Sequence, residues 1–381
     1  VAPVTAHFWK RGVERQLAQA LHGEALTISG RAPLPGEIFR NPGLGRTFRL
    51  VADEGKSAFY EGEIARAIAA VVQESGGCLM EEDLAAHTAT WDRPISTIYR
   101  GHRVWECPPN GQGLTVLIGL NLLEGFDLST LEPLSAQRLH LQIESLRLAF
   151  ADTRWYVADP KFSDIPLTEL LSKEYADERR RLINPQRAAL DQQRGTPVTS
   201  SDTVYLTVVD GDGNACSFIN SNYMGFGTGI VPEGWGFTLQ NRGHNFSLDP
   251  EHPNALAPGK RPYHTIIPSL ITKTGDGGED LFASYGVMGG FMQPQGQLQV
   301  ASALIDDHLD PQSALDRPRF CIASGEAGGD VALEGGISNA AFSVLEEMGH
   351  PVRLVSGYGR AVFGRGQIIL RDPESGVLWG G

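Results

Sequence analysis

The run Thr203-Val204-Tyr205-Leu206-Thr207-Val208-Val209-Asp210 is β-branched and apolar, and it leads into Gly211-Asp212-Gly213-Asn214. A run of this kind predicts a strand that ends in a tight turn, and 215–219 predicts the strand returning from it. The hairpin so defined begins at a threonine. A threonine at the head of a core strand can act as a nucleophile once the peptide bond before it is cut. The new α-amino group then lies beside the hydroxyl and takes its proton.

The residues before this strand differ in character. From 184 to 202 the chain carries prolines, glutamines, serines and a glycine, with little that is apolar. The expectation is an exposed linker ending at the Asp202-Thr203 junction, which is long for a connection inside a compact domain. Upstream the chain is helix-rich. Residues 58–74 predict a helix with Ile64, Ile68 and Val71 on one face, closed by Ser75-Gly76-Gly77. Two short strands are expected at 97–100 and 104–107, then a turn at Pro108-Pro109-Asn110-Gly111-Gln112-Gly113 and a helix over 114–124. Leu139, Ile143, Leu146 and Phe150 predict an amphipathic helix over 135–152 with its charges facing away from the core. Glu178-Arg179-Arg180-Arg181 is expected to be a solvated helix end. Downstream, strands are expected at 269–272, 281–285, 352–355 and 367–371, and helices at 295–306 and 338–348. No internal repeat is present. Helices and sheets in this order predict sheets layered with helices.

Composition narrows the function. The 381 residues hold 32 Lys and Arg against 45 Asp and Glu, a net charge of −13. Such a surface repels phosphate backbones, so nucleic acid is not an expected partner. Cys78, Cys107, Cys216 and Cys321 form no Cys-x-x-Cys pair, which excludes thiol-redox and zinc-ribbon chemistry. Cys216 is expected as a small buried residue of a core strand. No apolar run reaches the ~18 residues of a membrane helix. The chain starts at Val1 without a basic and apolar leader pattern. The compartment is left open, with cytoplasmic favoured over periplasmic.

The usual active-site signatures are missing. There is no Gly-x-Ser-x-Gly elbow, Walker loop, His-Glu-x-x-His or Gly-x-Gly-x-x-Gly. What remains is a series of clusters after the junction: Ser221-Asn222-Tyr223, Gly225-Phe226-Gly227-Thr228-Gly229, Gln240-Asn241-Arg242-Gly243-His244-Asn245, Lys260-Arg261-Pro262-Tyr263-His264-Thr265, and Gly289-Gly290. Taken singly, each has an ordinary structural explanation: a strand serine, a close backbone turn, surface cations, a glycine turn.

Together and in this order they resemble the γ-glutamyltransferase family of N-terminal-nucleophile hydrolases. That family's junction reads Thr-Thr/Ser-His-Tyr/Phe-Ser-Val-Val-Asp and then Asp-Gly-Asn, matched by Thr203 to Asp210 and by Asp212-Gly213-Asn214. Its Phe-Gly-Thr/Ser-Gly is matched by Phe226-Gly227-Thr228-Gly229, its Lys-Arg-Pro by Lys260-Arg261-Pro262, and its Gly-Gly pair by Gly289-Gly290. Upstream, Phe39-Arg40-Asn41-Pro42, the stretch from Glu54-Gly55 to Phe59-Tyr60-Glu61-Gly62, and Leu148-Ala149-Phe150-Ala151-Asp152 also resemble the large subunit. Nearly the whole chain is covered. The resemblance also implies a chain that begins inside the large subunit, past an arginine that grips the substrate carboxylate. It further implies an end at Gly381 that is short of the family's usual one.

The fold so implied is α+β, a four-layer αββα sandwich. Residues 1–202 would form the large-subunit region and 203–381 the small-subunit region, both within one domain. The implied chemistry is self-cleavage before Thr203, with Thr203 then the nucleophile, Ser221 its hydroxyl partner and the N–H groups of Gly289 and Gly290 the oxyanion donors. No cofactor or metal is implied. The partners would be a small γ-glutamyl or acyl-amide substrate and water or an amine; assembly beyond the two subunits is left open. In glutathione-cleaving members an asparagine, a glutamine and an aspartate hold the substrate's α-amine. Here Tyr223, Arg242 and Asn245 stand at those places, and His264-Thr265 replaces a Ser-Ser pair. Arg242 suits a carboxylate in place of an amine. The pattern around Asn241-Arg242-Gly243 resembles the branch of cephalosporin and glutaryl acylases. The expectation is therefore an amidase weak on glutathione itself, with a glutaryl-type acylase or an inactive binding homologue as alternatives.

Overall fold

The computed structural model describes residues 1–190, 203–275 and 278–381. Residues 191–202, which include Asp202 and most of the expected linker, lie outside the described residues. The chain divides into two compact units, one of Val1–Trp91 with Asn222–Arg242 and one of Asp92–Ser221 with Gly243–Gly381. Neither boundary falls at the 202–203 junction.

The smaller unit is helical. Its helices include Pro3–Arg15, Pro42–Glu54 and Glu63–Glu74. Pro42 sits in the first turn, where its missing N–H costs nothing, and Asn41 caps that helix by accepting from Leu44 N at 2.9 Å. The helix expected over 58–74 is two: Lys56–Tyr60 and Glu63–Glu74, broken at Glu61-Gly62. Ile64 and Ile68 do form its buried stripe, against Trp235. The segment 222–242 is held to these helices through backbone groups. Gln16 Nε2 donates to the carbonyls of Met224 and Gly227, at 2.8 and 2.6 Å, and Thr47 Oγ1 donates to Trp235 O at 2.8 Å.

The larger unit is built on an antiparallel sheet of six strands. Their order is Ile95–Tyr99, His102–Glu106, Ser269–Gly275, Gly278–Val287, Gly366–Arg371 and Leu378–Gly380. Alternation along Gly278–Val287 sends side chains to two faces. Val287 packs toward Gly296 of the buried helix Met292–Ile305, so one face carries helices. That helix packs on Gly113–Glu124, which in turn packs on Ala136–Tyr156. Gly286 and Ser284 point the other way. The ring of Tyr205 covers Gly286, and Thr207 Oγ1 donates to Ser284 Oγ at 2.5 Å. The hairpin Thr203–Val209 and Ala215–Ser221 thus lies on the face opposite the helices. A smaller sheet joins Phe320–Ile322, Val331–Glu334 and Val352–Val355. Gln295 and Gln299, one turn apart, bond the backbone of Ile322 and Phe320, which explains two buried amides in a helix.

Three expectations need correction. Cys216 is exposed, because the hairpin's inner face is the hydroxyl-bearing one and Cys216 sits on the other face with Phe218. The helix Ala136–Tyr156 does not turn its charges to solvent. Arg138, Glu144 and Arg147 are all buried, and Arg138 pairs with Asp307 at 2.8 Å. Nor is the end of Lys173–Arg180 merely solvated: Arg179 pairs with Asp152 at 2.8 Å, and Arg180 donates to the carbonyls of Leu122 and Asn121 at 2.8 Å each.

Candidate active site

The hairpin turn is set by one carboxylate. Asp210 Oδ1 accepts from Asp212 N and Asn214 N, at 3.0 and 2.9 Å, and Oδ2 accepts from Asn214 Nδ2 at 2.9 Å. Gly213, at φ 85°, supplies the left-handed residue the turn requires. This fixes the register from Val209 opposite Ala215 up to Thr203 opposite Ser221. Thr203 Oγ1 lies 3.2 Å from Ser221 Oγ, and Thr203 is 3% exposed. Tyr205 against Gly286 and Thr207 against Ser284 run antiparallel, so the same spacing carries Thr203 to the level of Met288. Gly289 and Gly290 follow immediately.

Those two glycines have φ of 128° and 62°. Their carbonyls are engaged. Gly289 O accepts from Met292 N at 3.1 Å, and Gly290 O accepts from Gln293 N at 3.1 Å and from Gln112 Nε2 at 2.8 Å. Among the described residues neither glycine's N–H donates a hydrogen bond. They open the helix Met292–Ile305, whose N-terminus adds positive potential. A Cβ on Gly289 would meet Met292 Cβ at 3.1 Å and Gly364 Cα at 3.3 Å.

Gln112 is the residue that sequence reasoning missed. Its Nε2 donates to both Gly290 O and Thr265 O, at 2.8 and 2.9 Å, and its Oε1 accepts from Tyr263 OH at 3.1 Å. Its own N–H donates to His264 O at 3.1 Å. The glutamine therefore ties Gly290 to the 263–265 loop. The signal was the glycine-flanked glutamine just before a helix, which as a sequence shows only a turn. Asn245 joins the same loop indirectly: its carbonyl accepts from Asn254 Nδ2 at 2.7 Å, and Asn254 Oδ1 accepts from Tyr263 N at 3.0 Å. Thr265 is fully buried and His264 is half-buried.

Tyr223 and Arg242 belong to the smaller unit, whereas Thr203, Ser221, Asn245, His264, Thr265, Gly289 and Gly290 belong to the larger. Within the smaller unit Asn241 closes the loop between Tyr223 and Arg242, its N–H donating to Asn222 O at 3.1 Å and its Oδ1 accepting from Met224 N at 3.1 Å. The Arg242 guanidinium carbon lies 5.5 Å from the centre of the Tyr223 ring. Arg242 is 8% exposed, so it is not a solvated surface arginine. Burial pushes its pKa down to about 10. Tyr223 adopts φ 79°, the left-handed region a bulky residue rarely enters.

Among the described residues one trio, His140, Glu144 and His350, brings histidine and carboxylate atoms within 4.8 Å of one another. None of the three is among the residues gathered around Thr203.

The Gamma-glutamyltranspeptidase family profile matches residues 1–381. The chain is 37% identical to the Bacillus subtilis glutathione hydrolase-like YwrD proenzyme over 98% of its own length and 69% of that protein. It is 33% identical to the Klebsiella pneumoniae oxamate amidohydrolase proenzyme, over 99% of this chain and 70% of that one. Among solved structures, the cephalosporin acylase from Bacillus halodurans superposes with a TM-score of 0.90 at 45% identity, covering 100% of this chain and 69% of the acylase. The chain thus spans about seven-tenths of the length of these relatives. Helices with antiparallel sheets make it α+β, of the N-terminal-nucleophile hydrolase type expected. By sequence and by fold, the chain belongs to the gamma-glutamyltranspeptidase family.

Proposed function

We propose that this chain is a self-cleaving amide hydrolase or acyltransferase acting through Thr203. In the first step the Thr203 hydroxyl attacks the Asp202 carbonyl, the Thr203 nitrogen leaves, and an ester joins the two residues. Water opens the ester, giving a carboxylate on Asp202 and a free α-amine on Thr203. An α-amine of ordinary pKa, about 7.7–8.0, serves as general base near neutral pH.

In turnover that amine takes the proton of Thr203 Oγ as the oxygen attacks the donor's amide carbon. The oxyanion is received by the N–H groups of Gly289 and Gly290. The protonated amine then gives its proton to the departing nitrogen, leaving an acyl ester on Thr203. Water or an amine acceptor resolves it by the reverse proton transfer. One observation carries this reading: Thr203, hydroxyl-paired with Ser221, heads a strand that ends level with two glycines whose N–H groups are uncommitted.

The donor class follows from Arg242 and Tyr223. A buried guanidinium over a tyrosine ring suits a carboxylate at the far end of the acyl group better than a cationic α-amine. We therefore assign acyl donors of glutaryl type, or γ-glutamyl compounds bound chiefly through their carboxylate, with weak turnover of glutathione. The test is a comparison of kcat/KM on glutaryl and γ-glutamyl anilides and on glutathione. A higher value on glutathione than on the glutaryl donor would overturn the assignment of donor class.

A further inference from the structure

The helix Ala136–Tyr156 carries His140, Glu144 and Arg147 at positions i, i+4 and i+7, a single stripe along its side. All three are at least 98% buried, as is His350. The chain leading to the junction runs along this stripe. His140 Nε2 bonds Asn184 O at 2.7 Å, and Glu144 Oε2 accepts from Ala189 N at 3.0 Å. Arg147 donates to Ala327 O and, at 3.0 Å, to Gly329 O, holding the loop whose Gly328 lies against Leu190 O. Successive steps on the helix, about 6 Å per four residues, thus meet successive points of 184–190.

Two further bonds join in. His140 Nδ1 lies 2.7 Å from His350 Nε2, and Ala188 N donates to Met348 O at 2.8 Å. A carbonyl can only accept, so His140 carries its proton on Nε2 and accepts at Nδ1 from His350. Both nitrogens of His140 are then in use, and Arg147 already brings positive charge 3.4 Å from Glu144 Oε1. The trio therefore serves as a hydrogen-bonded lock and not as a cation site.

A cut before Thr203 would place His140, Glu144, Arg147 and 184–190 on one fragment and Ala327, Gly329, Met348 and His350 on the other. We propose that these four side chains form the polar lock that fastens the end of the first fragment across to the second, as positioning residues remote from the chemistry. The proposal rests on the reading that the chain is cut there. The lock joins the two sides of the cut away from Thr203, so its effect is expected on fragment cohesion.

The test uses full-length wild type, Glu144→Ala and Glu144→Gln, each incubated until cutting is complete. Amide exchange at Ala188 and Ala189 is measured with the urea concentration at which the fragments separate. Loss of the Glu144 acceptor should speed Ala189 exchange about tenfold, the worth of one hydrogen bond. It should also lower the separation midpoint. Glu144→Gln keeps an acceptor and should restore both, which a general loss of packing would not do. Fast exchange at Ala188 and Ala189 in wild type, or Glu144→Ala fragments separating at the wild-type midpoint, would overturn the lock. Should Glu144→Ala fail to fold, a Glu144→Gln protein with unprotected Ala189 overturns it equally. A wild-type chain that stays uncut would instead sink the Thr203 reading and the cross-fragment role with it, while protected amides would still show the fastening.

Discussion

Thr203 Oγ1 and Ser221 Oγ face each other at 3.2 Å across the first rung of a hairpin whose other end is fixed by Asp210. The rung couples the orientation of the Thr203 hydroxyl to a second hydroxyl on the neighbouring strand.

Ser221→Ala should therefore lower kcat of the processed protein about tenfold, the value of one hydrogen bond, with little change in KM. Ser221→Thr should retain most of the rate. Steady-state kinetics on one anilide donor decide it; an unchanged kcat in Ser221→Ala removes that hydroxyl from the mechanism.

Gln112→Leu should remove the donor shared by Gly290 O and Thr265 O. Thr265 O then loses a partner while Gly290 O keeps Gln293 N, so the cost is about 1–3 kcal/mol and the unfolding midpoint falls. The glycine pair also loses its tether, so kcat should drop further than KM rises. A variant with wild-type kcat would show that the pair is held without Gln112.

The lock should weaken on acidification. Burial pushes His350 down to about 3 from its ordinary 6.5 and lowers His140 as well. A histidine held neutral contributes stability that is intact above pH 6.5 and is lost as pH falls toward 3. Glu144 acts oppositely. Burial raises it to about 6 from 4.5, so its ionised form is disfavoured and acid relieves that cost between 6 and 4.5. Within the lock the histidine interval is the wider one, so acid weakens it on balance, whereas buried Glu106, held well above its ordinary value, favours the folded chain in acid. The urea midpoint should therefore lose more, or gain less, between about pH 7.5 and about pH 5 in wild type than in His350→Gln. The same pH response in both proteins would mean that His350 is not buried neutral.

Arg242→Gln should raise KM for carboxylate-ended donors about tenfold or more, since a charge-assisted bond is worth about 1.5–3 kcal/mol. Donors lacking that carboxylate should change little. An equal loss on both kinds would mark Arg242 as structural.

Much of this architecture was legible in local pattern. The hairpin Thr203–Val209 with Ala215–Ser221 follows from β-branched runs around an Asp-Gly-Asp-Gly-Asn turn, and Val352–Val355 was placed to the residue. Which face of a strand is buried is a different matter. Alternation marks two faces without saying which one meets the core, and here Thr203, Tyr205 and Ser217 turn inward while Val204, Leu206 and Phe218 are exposed. Cys216 was misplaced for that reason. The charges of Ala136–Tyr156 were misjudged because their partners are far away in the chain: Asp307 for Arg138, His350 for His140. Gln112 escaped notice on the same ground, since Gly290 and Thr265 approach it only in the fold. The three-residue strand Phe320–Ile322 is too short to carry a period.

The central claim is that Thr203 cuts the chain and then carries the acyl group. Intact-mass analysis of wild type and Thr203→Ala, run on a denaturing gel and paired with turnover of an anilide donor, tests it directly. Wild type should give two fragments that part between Asp202 and Thr203 and should turn over the donor. Thr203→Ala should stay a single chain and lose at least about a thousandfold in rate. Cleavage at that bond in Thr203→Ala, or donor turnover by a wild-type chain that remains whole, would contradict the account.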